Sequence, residues 1–406
     1  MTSFDHLDPK VAQDVYERLG ELPAVARSTA HGGFLVVRGH DEVRKAALDG
    51  AVFSSAVSGL GAAAVVAEIA EVDAPLFETD LDLHIQWRRL LQDAFTPPAA
   101  ARHEAYVRRL CRAAIAEFAP RGHADLVTAY AQRVPPLVVA SLLGIPESER
   151  PAVAEHARAL AAASSTEDAA RIGRDYADLL RAQIRACRDT DRDDVLARVA
   201  KARIGGRPAT EFELVKFAFV MMAAGHLTAT DETANVLLEL ATDGALRARV
   251  AADRSLIPDL VEEIVRHEPA VAATGRVVVT DTELGGVPLT AGDRILLTWG
   301  GANRDPKRFP DGDTFDPDRP RSPHLGWGAG AHRCLGQHVA RLELRIMLEE
   351  LLAAIPDFQL EPGVTPVRTY GVIRGVESLP VRWPTASPRR TRRGPGPRCG
   401  QRRPAL

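Results

Sequence analysis

Cysteine is scarce in this chain, with four in 406 residues, and Cys111, Cys187, Cys334 and Cys399 lie far apart. No paired metal-knuckle spacing and no disulfide framework follow, so a reducing, cytoplasmic setting is expected. Charge of one sign is also lacking: the formal net charge of -3 gives no general attraction to nucleic acid or an anionic membrane. A signal-peptide profile is missing, because Asp5, Asp8, Lys10, Asp14, Glu17 and Arg18 crowd the first residues. The apolar run Phe217 to Gly225 is about half the length of a bilayer span. A glycine-rich dinucleotide loop is lacking too, since Gly205-Gly206 and Gly285-Gly286 read as turns. The expectation is a monomer without nucleic-acid or membrane partners, carrying no nicotinamide or flavin site of its own.

What is present is an ordinary globular composition, 46% hydrophobic and 26% charged, long enough for a large core. Helical spacing covers Val11 to Gly20, Asp41 to Leu48, His84 to Phe95, His103 to Phe118, Asp125 to Leu143, Glu147 to Ala163 and Ala169 to Cys187. Thr96-Pro97-Pro98 should end the third of these, and Pro135-Pro136 should kink the fifth. Ser54 to Asp80 reads as loop with short helices. Thr210 to Thr242 is the longest periodic segment, opened by Thr210-Glu-Phe-Glu213 as a capping box, and should run buried through the centre. Asp259 to His267 is helical again. Strands are expected at Gly33 to Arg38, Arg276 to Thr280, Glu283 to Val287 and Asp293 to Leu297, with terminal strands between Phe358 and Trp383. Gly300 to Pro323 is patternless and should be pinned by specific contacts. Gln337 to Ile355 is strongly helical. From Pro384 the chain becomes a Pro, Gly and Arg tail, expected to be disordered.

The segment Trp327-Gly-Ala-Gly-Ala-His-Arg-Cys-Leu-Gly336 sets glycines on both sides of a cysteine that precedes a helix. Glycine removes bulk where backbone must pass close to a flat ligand. A helix start favours a thiolate, and a thiolate on haem iron pushes electron density toward O–O cleavage. On these residues alone Cys334 reads equally as a haem ligand or as a buried free cysteine.

The chain up to about Trp383 resembles bacterial cytochrome P450 enzymes. The family's cysteine signature is matched by Trp327, Gly328, Gly330, His332, Arg333, Cys334 and Gly336, with Trp327 standing where Phe is usual. Glu263-Ile-Val-Arg266 matches the Glu-x-x-Arg pair, with Arg319 as its later basic partner, and Asn303-Arg-Asp-Pro306 matches a further upstream segment of structural role. The resemblance implies a mainly α fold with small β-sheets, as one triangular haem-binding domain over residues 1–383 with residues 384–406 as the tail. It implies haem b with Cys334 as metal ligand. His84, Arg88, Arg276 and His332 would meet the propionates, with weaker support for Gln86 and Arg89, which could equally be solvated.

On the distal side, the family's long-helix motif is matched by Ala224, Gly225, His226, Leu227, Thr228 and Ala229. Gly225 is expected to leave room for oxygen and Thr228 to support proton delivery to it. Leu227 stands where an acid is usual and cannot relay a proton. Asp231 or Glu232 could compensate, and either could instead be a solvated helix face. The pocket is expected to be lined by Phe219, Val220, Ala223, Ala224, Leu227, Ala273, Thr274 and Val372, with Tyr370 to Ile373 as a further wall and the helices around 155 to 185 near its mouth. An apolar organic substrate, O2 as co-substrate and a place in secondary metabolism are implied. Electrons would come from NAD(P)H through a ferredoxin and its reductase, which Arg333, Arg108, Arg109 and Arg112 could help dock, unless they serve only surface solubility. Besides monooxygenation, two readings stay open: oxidative coupling or dehydrogenation, and a non-enzymatic haem-binding sensor.

Overall fold

The computed structural model describes residues 1–385 apart from 12, 57–74, 164, 189, 370 and 372. Helix accounts for 54% and strand for 12%. The molecule is organised around one helix, Glu211–Thr242. Its capping box forms as the sequence suggests: Glu213 N donates to the Thr210 hydroxyl at 3.3 Å, and Thr210 N donates to Glu213 Oε2 at 2.7 Å. By length and apolarity this helix could cross a membrane, yet half of its most apolar stretch is buried inside the protein. Its buried side chains include Glu232 and Asn235 as well as Phe217, Met222 and Leu237, which marks it as a core helix.

Helices Pro135–Leu143, Thr166–Arg188, Ile257–His267 and Gln337–Ala354 pack against it. Helix Leu81–Leu91 joins the same core by stacking Trp87 on Phe217, ring centroids 5.3 Å apart. Helix Glu104–Phe118 lies against Gln337–Ala354, burying Val107, Cys111, Ile115 and Phe118 on one face. A five-stranded sheet stands beside this helical body, in the order Val25–Ser28, Phe34–Val37, Arg294–Thr298, Ala273–Val278, Phe53–Ser54. One pair in it is parallel, with Ile295 opposite Leu35, and this pairing carries the chain from residue 294 back to the N-terminal region. Both faces of Phe34–Val37 are covered, so the strand is apolar throughout.

Several boundaries differ from the sequence pattern for identifiable reasons. The helix before Pro97 ends at Leu91 and continues only as a 3-10 turn, Gln92–Phe95, and Pro97 starts a short helix, Pro97–Ala101, because proline at the first helical position loses no hydrogen bond. The Asp125–Leu143 pattern divides into a π-turn at Val127–Ala131 and a helix that begins at Pro135. Two helices escape the periodicity, Val195–Ala200 and Gly244–Ala252, although Asp194 and Asp243 cap them by accepting backbone N–H groups. The stretch after the short helix Trp299–Ala302 is a chain of turns. The tail lies outside the described residues from 386 onward.

Glu343, in the core face of Gln337–Ala354, is 2% exposed and its Oε1 has no partner among the described residues. Burial pushes its carboxyl up to about 8. A folded-state pKa above the unfolded one stabilises fully below the unfolded value, and that stabilisation is lost as pH rises through the folded value. Thermal melts should therefore show Tm falling between about pH 5 and 9, with Glu343→Gln flattening the fall. An equally steep fall in the variant would assign the pH dependence to other groups.

Candidate functional site

The cysteine loop is closed by a hydrogen bond from Cys334 N to Trp327 O, 2.8 Å. Gly328 and Gly330 hold φ of +70° and +68°, where a side chain would be strained. At Gly330 a Cβ would also collide with the Ala47 carbonyl, so this glycine lets the loop lie against helix His40–Leu48. Gly336 is different: its φ is -79° and a Cβ would meet nothing, so the neighbours do not demand glycine there. The Cys334 residue is partly exposed but its thiol lies deep. Burial raises the thiol pKa, and the N–H groups of Gly336 and Gln337, with Arg88 and Arg341, act in the opposite direction. The helix start thus does not by itself make a thiolate. Ligation to a metal, which removes the thiol proton, would.

Trp327 has a specific environment. Its indole N–H reaches Glu262 Oε2 at 3.4 Å, and the Arg341 guanidinium lies over its ring at 4.6 Å. Arg341 in turn forks onto Glu262 at 2.6 and 3.0 Å, and His324 Nε2 stands 3.2 Å from the same carboxylate. An indole thus ties the cysteine loop to helices Ile257–His267 and Gln337–Ala354 through a bond that phenylalanine cannot make.

The approach to the loop is held by a buried ion pair. Arg266 forks onto Glu263 at 2.7 and 2.8 Å, with side chains 3% and 6% exposed. Its remaining N–H groups donate to the carbonyls of Asn303, Gly312 and Thr314. Arg319 comes within 3.6 Å of Glu263 and donates to the carbonyls of Pro310, Asp311 and Thr314. Asn303 donates to Arg266 O and accepts from Leu325 N, two residues before Trp327. The irregular stretch is therefore pinned carbonyl by carbonyl.

Four groups singled out for the propionates fall in one region around helix Leu81–Leu91 and the loop. His84 and His332 have ring centroids 4.0 Å apart. His84 places Nδ1 2.9 Å from Leu76 O and Nε2 2.9 Å from Ala331 O, and a neutral ring can donate to only one of them. Arg88 donates to Arg333 O at 2.8 Å. Arg276 is 6% exposed and hydrogen-bonds to Gly275 O, and no carboxylate among the described residues pairs with it at ion-pair distance. Burial lowers its pKa to about 10, with Asp80 attracting it. Burial also lowers His332 to about 4, so its ring is neutral near pH 7. A buried guanidinium with no carboxylate at ion-pair distance among the described residues, close enough to His332 to act on it, fits the carboxylates of a haem, and a lone cysteine among backbone N–H groups fits its iron.

Asp80 escapes sequence reasoning. It accepts from the Ser54 hydroxyl, Ser55 N and Ala56 N, and stands 3.9 Å from His332. These bonds hold its carboxyl well below the ordinary range despite its partial burial. The signal available was its place four residues before His84. Of the two weaker candidates, Gln86 accepts from Gly205 N and Arg89 is exposed, in keeping with solvated positions. Arg108, Arg109 and Arg112 are also altered as docking cations, because Glu104, Glu147, Glu349 and Glu350 pair with them. Arg333 remains exposed, with no ion pair among the described residues.

On the central helix, Phe219, Ala223, Ala224, Leu227, Thr228 and Asp231 are partly exposed while Val220, His226, Ala229, Thr230 and Glu232 are buried. Steps of three and four make the first set one open stripe. The Thr228 hydroxyl donates to Ala224 O at 2.8 Å. Gly225 is a correction: its missing Cβ would meet Val139 Cγ2 at 2.6 Å, so glycine there permits close packing of helix Pro135–Leu143. Val220 lies in the core, 5% exposed, off the stripe. Ala273 is buried, and Thr274 Oγ1 is buried with no partner among the described residues. Val372 and Tyr370 lie outside the described residues.

Breaking a buried ion pair leaves an uncompensated charge, which costs about 3–5 kcal/mol. Arg266→Ala should lose about that much stability in urea unfolding, and a loss under about 1 kcal/mol would contradict the pinning role.

Residues 167–371 match the family model described as Cytochrome P450. The chain is 34% identical over 316 residues to cytochrome P450 monooxygenase PikC of Streptomyces venezuelae, covering 76% of each. It is 33% identical over 302 residues to cyclomarin C epoxidase CymV of Salinispora arenicola, covering 70% of this chain and 76% of that one. The structure superposes on the post-tailoring hydroxylase HmtN of himastatin biosynthesis with a TM-score of 0.82 and 32% identity, over 92% of this chain and 97% of that one. Family model, relatives and fold agree, and the chain belongs to the cytochrome P450 family, as a monooxygenase-type oxidoreductase.

Proposed function

We propose that this protein is a soluble, cytoplasmic, monomeric haem-thiolate monooxygenase that hydroxylates or epoxidises a small to medium apolar scaffold in secondary metabolism. The observation carrying this reading is the combination of the Cys334 loop with an open stripe of small, apolar and hydroxyl residues on a buried helix. The substrate class is supported by relatives named for cyclomarin C, mycinamicin IV and himastatin. Haem b, bound with Cys334 on its iron, supplies dioxygen activation, helped by the electron density of a thiolate. Arg276, His332, His84 and Arg88 hold its propionates. Arg88 donates to the loop carbonyl of Arg333 and His84 Nε2 stands 2.9 Å from that of Ala331, so holding a propionate means exchanging or sharing those contacts.

The remaining steps belong to this chain's own side chains. Phe219, Ala223, Ala224 and Leu227 exclude water and orient the substrate by shape. Thr228, whose hydroxyl already donates to Ala224 O, keeps lone pairs free to accept from water and so can pass a proton along the stripe. Electrons come from NAD(P)H through a ferredoxin and its reductase, with the exposed Arg333 on the loop as one contact.

Turnover under isotope-labelled O2, with ferredoxin, reductase, NAD(P)H and a panel of apolar organic compounds that includes cyclomarin C and mycinamicin IV, tests the proposal. The expected product carries one labelled oxygen atom. A desaturated or coupled product without label would favour the dehydrogenation and coupling reading. Tight binding without any product would favour a sensor.

A further inference from the structure

The distal proton route is the part of the site whose usual acid is missing, since Leu227 is aliphatic. Two carboxylates stand one turn further along the same helix, and the structure treats them differently. Glu232 is buried, off the open stripe, and its Oε2 accepts from Ala270 N at 2.8 Å. It holds the turn between helix Ile257–His267 and strand Ala273–Val278. Asp231 lies on the open stripe, four residues from Leu227 and three from Thr228. That spacing sets it about 4.5 Å from Thr228 and about 6 Å from Leu227 along the axis, a gap that one or two waters bridge.

Room for Asp231 is built by a second element. A Cβ on Gly375 would collide with Asp231 Oδ1, so the carboxylate lies directly against the backbone of this glycine. The segment carrying Gly375 is itself fixed. Gly375 N donates to Thr369 Oγ1 at 2.7 Å, Arg374 N donates to Ala270 O at 2.8 Å, and Ile373 bridges to Val271. Asp231 makes no hydrogen bond or ion pair with the described residues, which leaves its oxygens available to water. The facing groups do not neutralise it: Glu232 adjoins it on its own helix, Glu268 stands beyond, and Arg374 is turned onto Glu268 at 2.8 Å.

We propose that Asp231 is the relocated proton-delivering acid of the distal pocket, acting through water on the Thr228 hydroxyl in place of the acid missing at Leu227. The inference rests on the monooxygenase reading above. In the step, the Asp231 carboxyl gives its proton to a bound water, and that water gives one to Thr228 Oγ1. Thr228 releases its own proton toward the distal ligand position. Asp231 is left as a carboxylate and regains a proton from solvent at its partly exposed side. Each hop breaks one O–H bond and forms one, so charge returns to its starting distribution after reprotonation. Burial raises the Asp231 carboxyl to about 7, which suits a group that must both give and regain a proton near neutrality. Glu232, raised to about 8 by burial, is mostly protonated at the same pH and adds little repulsion.

The test compares wild type, Asp231→Asn and the double variant Leu227→Asp with Asp231→Asn as haem-loaded proteins. One readout is product formed per NAD(P)H consumed, with peroxide release measured in parallel. The other is infrared titration of the protonated-carboxyl stretch, which needs no turnover and so separates failure of the relay from failure of the monooxygenase reading. Asp231→Asn should lower coupling by about tenfold or more, with peroxide rising, and the double variant should regain most of it. A carboxyl band titrating near neutrality should vanish in Asp231→Asn. Coupling in Asp231→Asn within about twofold of wild type, or a wild-type carboxyl spectrum that Asp231→Asn leaves unchanged, would overturn the assignment.

Discussion

The architecture depends on one buried charge that must be satisfied. The Arg266 guanidinium is almost wholly excluded from water, and only part of its hydrogen-bonding capacity goes to Glu263. Its other N–H groups demand acceptors, and the carbonyls of Asn303, Gly312 and Thr314 are the ones in reach. Since leaving such groups unpaired is costly, a stretch with no repeating structure acquires a single course. Asn303 extends that course to Leu325, and the cysteine loop begins two residues later. Cys334 is thereby positioned from a helix that lies far from it in the chain.

The loop is then fixed from its other flank by the Trp327, Glu262, Arg341 and His324 contacts. The substitution of indole for the family's usual phenyl ring is compatible with a ligand loop because the extra N–H has an acceptor waiting. On the central helix the balance is reversed. The cysteine loop is dense with bonds, while the open stripe of the helix presents Phe219, Ala223, Ala224 and Leu227 with one hydroxyl, Thr228, and one carboxylate, Asp231.

Much of this was legible in the sequence, and the limits of reading it have physical causes. Long helices announce themselves by periodicity, and Thr210 with Glu213 marks the start of the central one to the residue. The six-residue helix Val195–Ala200 completes too few turns to show a period. The Glu263–Arg266 pair is readable from its spacing, whereas the carbonyls that complete Arg266 come from a stretch without pattern. Asp80 carries only one local sign, its place four residues before His84, because its partners Ser54 to Ala56 meet it through the fold. Gly225 was readable as a glycine with a purpose, but which neighbour needs the space depends on where Pro135–Leu143 packs. The arginines at 108, 109 and 112 look cationic in a string of letters and are paired with acids brought in by the fold, Glu350 on helix Gln337–Ala354 and Glu147 in a turn.

The central claim is that Cys334 is the thiolate on a haem iron. Its most direct test is the ferrous CO-difference spectrum of haem-loaded wild type beside Cys334→Ser. Wild type should show the characteristic thiolate-haem band, and the variant should lose that band while keeping the fold. Correctly folded, haem-loaded wild type without the band, or a variant that retains it, would contradict the assignment.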